Sequence, residues 1–203
     1  MKHLFDLLLE ARAAGLANRL EPYLPRSGRV LDIGSGTGHN VQALRQKTSL
    51  SFMEADVTDM SVVGSGPVLF ADAKLPFTTG AFACAILGFV LQYPPDPAPL
   101  LLEARRVTTE RVIVLHSTYR GALGRCALRL NELAWGPVAF TAARLAQFVG
   151  RCRFSLRPRH LYSRVELQCL FERCGFVIRA SQSQPWPHGV VSQELFVLEH
   201  PHA

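Results

Sequence analysis

A chain of 203 residues, 48% apolar and 19% charged, is long enough to bury one large core and too apolar to remain disordered. Its five cysteines, Cys84, Cys126, Cys152, Cys169 and Cys174, are odd in number and include no Cys-x-x-Cys pair, which argues against a disulfide framework and against a zinc site. The net charge of +6 is lopsided: from Thr118 to His160 eight arginines (Arg120, Arg125, Arg129, Arg144, Arg151, Arg153, Arg157, Arg159) face one acid, Glu132, giving +7, and the remaining 14 basic and 15 acidic residues sum to −1.

Residues 1–24 read as an N-terminal helix, with Leu4, Leu7, Leu8, Ala11 and Ala14 at helical spacing and Pro22 and Pro25 closing it. Asp6 and Glu10 interrupt its apolar face and no small-residue cleavage site follows, so it is not a secretory signal and a cytoplasmic location is expected. A strand over Arg29 to Ile33 runs into Gly34, Gly36 and Gly38 and then a helix from Gly38 to Gln46. Further strands are expected at Leu50 to Met53, Val68 to Ala71, Phe82 to Val90 and Arg111 to His116. A turn or short helix, placed for Asp56 to cap, follows the first of these, and a helix from Pro97 to Val107 precedes the last. The longest apolar run, Ala81 to Leu91, falls short of the roughly 20 residues needed to span a bilayer. Near the end, a helix from Ser163 to Cys174 stops at Gly175 and leads to strands at Phe176 to Ser181 and Gln193 to Glu199. Their link, "SQPWPHGVVS", is too short for a crossover helix, so those two strands should be antiparallel neighbours. Strand and helix in alternation give an α/β fold: one domain, residues 1–203, with a doubly wound sheet of about seven strands, mostly parallel with an antiparallel last strand.

Residues 118–160 stand apart as a basic insertion. Leu123, Cys126, Ala127, Leu130, Leu133 and Ala134 repeat at helical spacing while Arg125, Arg129 and Glu132 share another face; Gly136 and Pro137 break the pattern before a second stripe of Thr141, Leu145, Phe148 and Val149. Two amphipathic helices forming a lid are expected. Their arginines suit a solvated face, an anionic membrane surface, or a pocket for a carboxylate or phosphate. Nucleic acid is disfavoured by the leucines and alanines between the charges and by the lack of clustered stacking aromatics.

A nicotinamide-binding turn needs Gly-x-Gly-x-x-Gly, but here the third glycine is Gly38 and His39 stands where it should be. Asp32 followed by Gly34, Gly36 and Gly38 resembles instead the first motif of class I S-adenosylmethionine-dependent methyltransferases, and so implies a Rossmann-like sheet and S-adenosylmethionine as cofactor. The methionine carboxylate is then expected against amides of the Gly34 to Gly38 turn, which includes Ser35 and Gly36, near the helix start where the dipole favours an anion. The resemblance places the carbonyls of Gly34 and Leu87 to receive the methionine amino group. It also implies an acid at the tip of the second strand for the ribose hydroxyls. Within "LSFMEADVTDM", either side of Ala55, Glu54 is favoured for that role and Asp56 is the alternative. "LFADAKLPF" is similar to the family's third-strand motif, which places Asp72 and Ala73 against the adenine. "GAFACAILGFVLQYPPDP" is similar to the fourth-strand region of the ubiquinone and menaquinone methyltransferase type, although Ala83 stands where that type usually has Asp. The likeness covers about residues 20–117 well and 162–199 loosely.

Methyl transfer from a sulfonium needs contact and exclusion of water more than catalytic side chains. If the acceptor is a hydroxyl, a base helps, and His116 at the expected end of the fifth strand is the candidate, with Gln92, Tyr93, Tyr119, His160 and Tyr162 placed to orient substrate. The Asn/Asp-Pro-Pro-aromatic motif of amino-group methylation is missing after the fourth strand, and so is a carboxylate cluster for a metal. The expected activity is O-methylation of a small, hydrophobic acceptor, with peripheral contact to an anionic membrane through 118–160. RNA methylation and a non-catalytic S-adenosylmethionine-binding subunit are the alternatives.

Overall fold

A computed structural model describes residues 2–131 and 158–201. Helix α1 (Lys2–Leu20) buries Ala13, Leu16, Ala17 and Leu20 and ends in a 3-10 turn at Glu21–Tyr23 that Pro22 opens. The buried stripe thus lies one turn beyond the one expected from sequence, and Leu7 and Leu8 face outward.

Strands β1 (Arg29–Ile33), β2 (Ser51–Asp56), β3 (Val68–Leu69), β4 (Phe82–Gly88) and β5 (Thr108–Tyr119) are mutually parallel. A short β6 (Tyr162–Ser163) lies beside the end of β5, and β8 (Val191–Glu199) runs antiparallel between β5 and β7 (Val177–Pro185). The sheet order is β3-β2-β1-β4-β5-β8-β7, so the expected mostly parallel sheet with an antiparallel end is observed, with β6 as an eighth short strand. Both faces are covered, which is why β1 and β4 read as nearly continuous apolar runs. Val30, Cys84 and Ile86 pack on the side of α1 and α2 (His39–Arg45), whereas Leu31, Ile33, Ala85 and Leu87 pack on the side of α3 (Ala98–Val107) and α5 (Arg164–Arg173). Ser163 and Glu166 cap α5 reciprocally, Ser163 N donating to Glu166 Oε2 at 2.6 Å.

Several boundaries differ from the sequence expectation, each for a local reason. β2 runs on through Glu54 and Ala55 to Asp56, because β1 supplies a parallel partner as far as Ile33. No helix follows it: Asp56 Oδ1 accepts from Val57 N at 2.7 Å and Thr58 N at 3.4 Å and closes a turn. β4 stops at Gly88 because Phe89 takes a left-handed backbone, φ 60°. β5 continues past His116 to Tyr119, paired there by both β6 and β8.

After β5 the chain forms helix α4, residues 121–131. Its buried positions are Gly124 and Leu128, not the expected stripe of Leu123, Cys126 and Leu130, which points outward. Gly124 explains the roll: its backbone sits so close to the Val190 carbonyl that a Cβ would have no room. The expected second helix of the insertion, with Leu145, Phe148 and Val149, lies outside the described residues.

Candidate active site

In open parallel sheets ligands bind beyond the carboxyl ends of the strands, where the strand order reverses. Here that point lies between β1 and β4, and the glycine turn occupies it. Gly34, Gly36 and Gly38 all have left-handed φ values, 76°, 55° and 82°. The first and last are also sterically enforced. A Cβ on Gly34 would sit 2.4 Å from Val90 Cγ2, and one on Gly38 would sit 2.5 Å from the Val63 carbonyl oxygen. Gly36 differs, since a Cβ there would meet nothing within 4 Å. The crest of the turn faces open space.

Four amides of the turn expected to face a ligand carboxylate are engaged by the chain itself. Gly34 N and Ser35 N donate to Ala55 O at 2.7 and 3.3 Å, Gly36 N to Asp56 Oδ2 at 2.8 Å, and Gly38 N to Ser35 O at 3.1 Å. β2, adjacent and parallel, offers the acceptors for the first three of these amides, and the turn itself offers the fourth. Thr37 O in turn accepts from Val62 N and Val63 N, tying the loop after β2 over the turn. His39 opens α2, with Nδ1 2.9 Å from Thr37 Oγ1.

Beneath the turn lie three buried acids on one pleat: Asp32, its register neighbour Glu54, and Asp56. Burial drives the Asp32 carboxyl up to about 7, with the charges of Glu54 and Asp56 adding to the effect. Burial also raises Glu54 and Asp56; Arg45 opposes the first, and amide donors from Gly36, Val57 and Thr58 oppose the second. Asp32 Oδ2, Ser35 Oγ and Glu54 Oε2 are buried without a hydrogen-bond partner. Buried carboxyl groups with unpartnered oxygens behind an open turn suit a ligand that carries positive charge or donates hydrogen bonds.

The two ribose candidates separate by position. Glu54 turns under Gly38 and pairs with Arg45 Nη1 at 3.4 Å, so its carboxylate belongs to the base of the turn. Asp56 closes β2 at the carboxyl edge and touches Gly36. Both oxygens of Asp56 accept from backbone amides, Oδ2 from Gly36 and Oδ1 from Val57 and Thr58, whereas Glu54 Oε2 has no partner. Asp72 and Ala73 form the tip of a tight turn, φ 52° and 57°, closed by Lys74 N on Ala71 O at 2.9 Å; Asp72 is exposed and Ala73 half-buried. Two consecutive left-handed non-glycine residues store strain of about 1–2 kcal/mol each, which is the kind of cost that functional turns carry. The Leu87 side chain is buried in the core, one residue before the end of β4.

On the other side, β5 and β6 bring together His116, Tyr162 and His160. Tyr162 meets the His116 ring edge-on, centroids 5.4 Å apart, and stacks on His160 at 5.7 Å. His160 Nε2 lies 3.0 Å from the carbonyls of Pro94 and Pro95, and Gln92 O accepts from Arg159 N and His160 N, joining this cluster to the loop after β4. His116 is not at the strand end, as expected, but three residues inside it and 1% exposed. Its Nδ1 lies 2.7 Å from Ser117 O, its Nε2 is buried without a partner, and burial lowers its pKa to about 4. Tyr119 stands further out, donating to Glu166 Oε2 at 3.2 Å. Tyr93 N donates to Val90 O.

Three features had no sequence signal because they depend on side chains from distant elements. Glu194, opposite His116 in register, is buried and held by Arg164 at 2.5 Å and by Ser183 Oγ at 2.8 Å. Val90 fills the space under Gly34. Arg12 of α1 lies over the Phe89 ring, 5.1 Å from its centroid. Among the described residues no set of three or more His, Cys, Asp or Glu side chains is arranged to hold a metal ion.

The family described as "Methyltransferase domain" matches residues 5–181. No curated protein sequence matches the chain. Among solved structures it is similar to a SAM-dependent methyltransferase from Methanosarcina mazei: 17% identity, TM-score 0.61, covering 89% of this chain and 96% of that one. It is also similar to geranyl diphosphate C-methyltransferase from Streptomyces coelicolor A3(2), at 12% identity and TM-score 0.62, covering 92% and 78%. The [4+2]-cyclase SpnF is similar too, at 14% identity and TM-score 0.66, covering 94% and 81%. A cyclase among these structures illustrates that the fold alone does not name the chemistry.

Proposed function

The chain belongs to the methyltransferase domain family, and from that premise we propose that it methylates a hydroxyl oxygen of a small, apolar molecule, using S-adenosylmethionine. The observation that carries the oxygen reading is the tautomer of His116. A carbonyl oxygen only accepts, so the 2.7 Å contact with Ser117 O requires the proton on Nδ1 and leaves Nε2 as a bare lone pair. A pKa of about 4 keeps the ring neutral at physiological pH. A buried, neutral acceptor favours a ligand group that donates a hydrogen bond, which is a hydroxyl and not a carboxylate.

S-adenosylmethionine supplies a methyl group on a thioether leaving group. This chain's residues hold and orient. The acids Asp32 and Glu54 beneath the turn would balance the cofactor's positive charge, Asp56 at the end of β2 would accept from the ribose hydroxyls, the open crest at Gly36 would let the ligand lie against backbone, and Asp72 and Ala73 would meet the adenine. His116 Nε2 accepts the acceptor's hydroxyl proton. An oxygen being alkylated becomes strongly acidic, so even an imidazole with a lowered pKa takes that proton during transfer, and Ser117 O steadies the imidazolium that results. Tyr162 and His160 wall the cluster with aromatic surface, and Gln92 holds the two strands of chain that form it.

The test is product analysis with methyl-labelled cofactor and paired apolar acceptors, long-chain phenols and alcohols against the matching carboxylic acids. Methyl ethers are expected from the first set. Labelled esters alone, or label on carbon alone, would overturn the oxygen reading.

A further inference from the structure

We propose that α4 seats the protein on an anionic lipid surface. The helix exposes Leu123 (79%) and Leu130 (65%), with the exposed Cys126 between them, so that positions i, i+3 and i+7 make one outward stripe. Arg125 and Arg129 are exposed beside it, exposed Arg120 precedes it, and residues 120–131 contain no Asp or Glu. The outward roll is imposed by the fold, because Gly124 packs on the Val190 carbonyl and Leu128 is buried (1% exposed), leaving the leucines no way to turn inward. Scattered surface leucines need no explanation, but an apolar stripe flanked by arginines is the pattern of a helix lying in a membrane interface.

Charge decides the occupant. Phospholipid headgroups of negative sign complement the arginines while acyl chains receive the leucines, whereas a second copy of this chain would bring arginine against arginine. No helix among the described residues is long and apolar enough to cross a membrane. α4 leaves the carboxyl end of β5, the edge of the sheet that carries His116 and the glycine turn. A surface-bound α4 therefore brings that edge to the bilayer, where an apolar acceptor would dissolve. The docking stands on α4 alone and is independent of which atom is methylated.

Flotation of the full chain with vesicles tests it. Wild type is expected to float with equimolar phosphatidylglycerol and phosphatidylcholine at low salt, to be released at high salt, and to stay behind with phosphatidylcholine alone. Leu123→Ser/Leu130→Ser and Arg125→Gln/Arg129→Gln should each cut the bound fraction by about tenfold while keeping the wild-type melting temperature and cofactor affinity. Failure of wild type to float with anionic vesicles overturns the proposal. So does flotation that both double variants retain, or a leucine variant whose only change is the loss of a dimer in light scattering.

Discussion

Two buried clusters near the carboxyl end of the sheet, one on the face of Val30 and one on the face of Val112 and Val114, meet burial in opposite ways. In the β1–β2 cluster, desolvation raises carboxyl groups, Asp32 up to about 7, and the cost is contained by backbone amides on Asp56 and by Arg45 on Glu54. In the β5–β6 cluster, the same desolvation holds an imidazole down at about 4, with one carbonyl to fix its tautomer. One cluster thus gathers carboxyl groups pushed toward their neutral form and the other presents a neutral lone pair. The difference teaches that one physical cause, the cost of burying charge, acts on both sides and pushes each kind of group toward its neutral form.

The strongest way to break the contrast is at the glycine turn. Gly34→Ala and Gly38→Ala force a Cβ to within 2.4 and 2.5 Å of Val90 and Val63 and should abolish soluble folded protein or cofactor binding outright, by thermal melt and titration calorimetry. Gly36→Ala meets no protein atom, so it should fold with a loss of only about 1 kcal/mol for its left-handed φ while weakening cofactor binding at least tenfold. Unchanged affinity in that variant would mean that the open crest is not where the cofactor lies.

His116→Asn tests the other cluster. Turnover should drop by roughly 10²–10⁴ with cofactor affinity intact, and a drop in cofactor affinity instead would place His116 on the wrong side. Its stability signature is distinct as well. As pH falls from about 6.5 to about 4, the unfolded chain binds a proton that folded His116 refuses, so wild type loses stability across that window and the variant loses less.

Asp32 carries the opposite sign. Between about 4 and about 7 the folded protein keeps a proton that the unfolded chain has lost, so stability falls as pH rises through that window and levels off above it. Asp32→Asn should therefore gain stability at pH 8, on the order of a few kcal/mol. Cofactor affinity of wild type should rise with pH up to about 7 as Asp32 gives up its proton, and this dependence should vanish in the variant. Asp56→Ala should weaken cofactor binding more than Glu54→Ala; the reverse order would return the ribose role to Glu54. The smallest effect is Tyr119→Phe, which loses one hydrogen bond to Glu166 and should cost about 0.5–1 kcal/mol of stability with no change in turnover.

Chain order and backbone demands were legible without a structure. Gly34, Gly36 and Gly38 announce a left-handed turn because other residues resist those φ values, and alternating apolar runs and helical stretches announce a doubly wound sheet because each strand must be covered on both faces. The capped start of α5 and its stop at Gly175 were equally local. Tertiary structure alone decided the surroundings of the two acids, Glu54 beside the Arg45 guanidinium and Asp56 under the Gly36 amide. It also decided the depth of His116, because β6 and β8 lengthen β5 beyond it, and the outward roll of α4, because Gly124 meets a carbonyl from 66 residues further along the chain. Periodicity names the faces of a helix or strand; which face is buried is settled only when another element arrives to cover it.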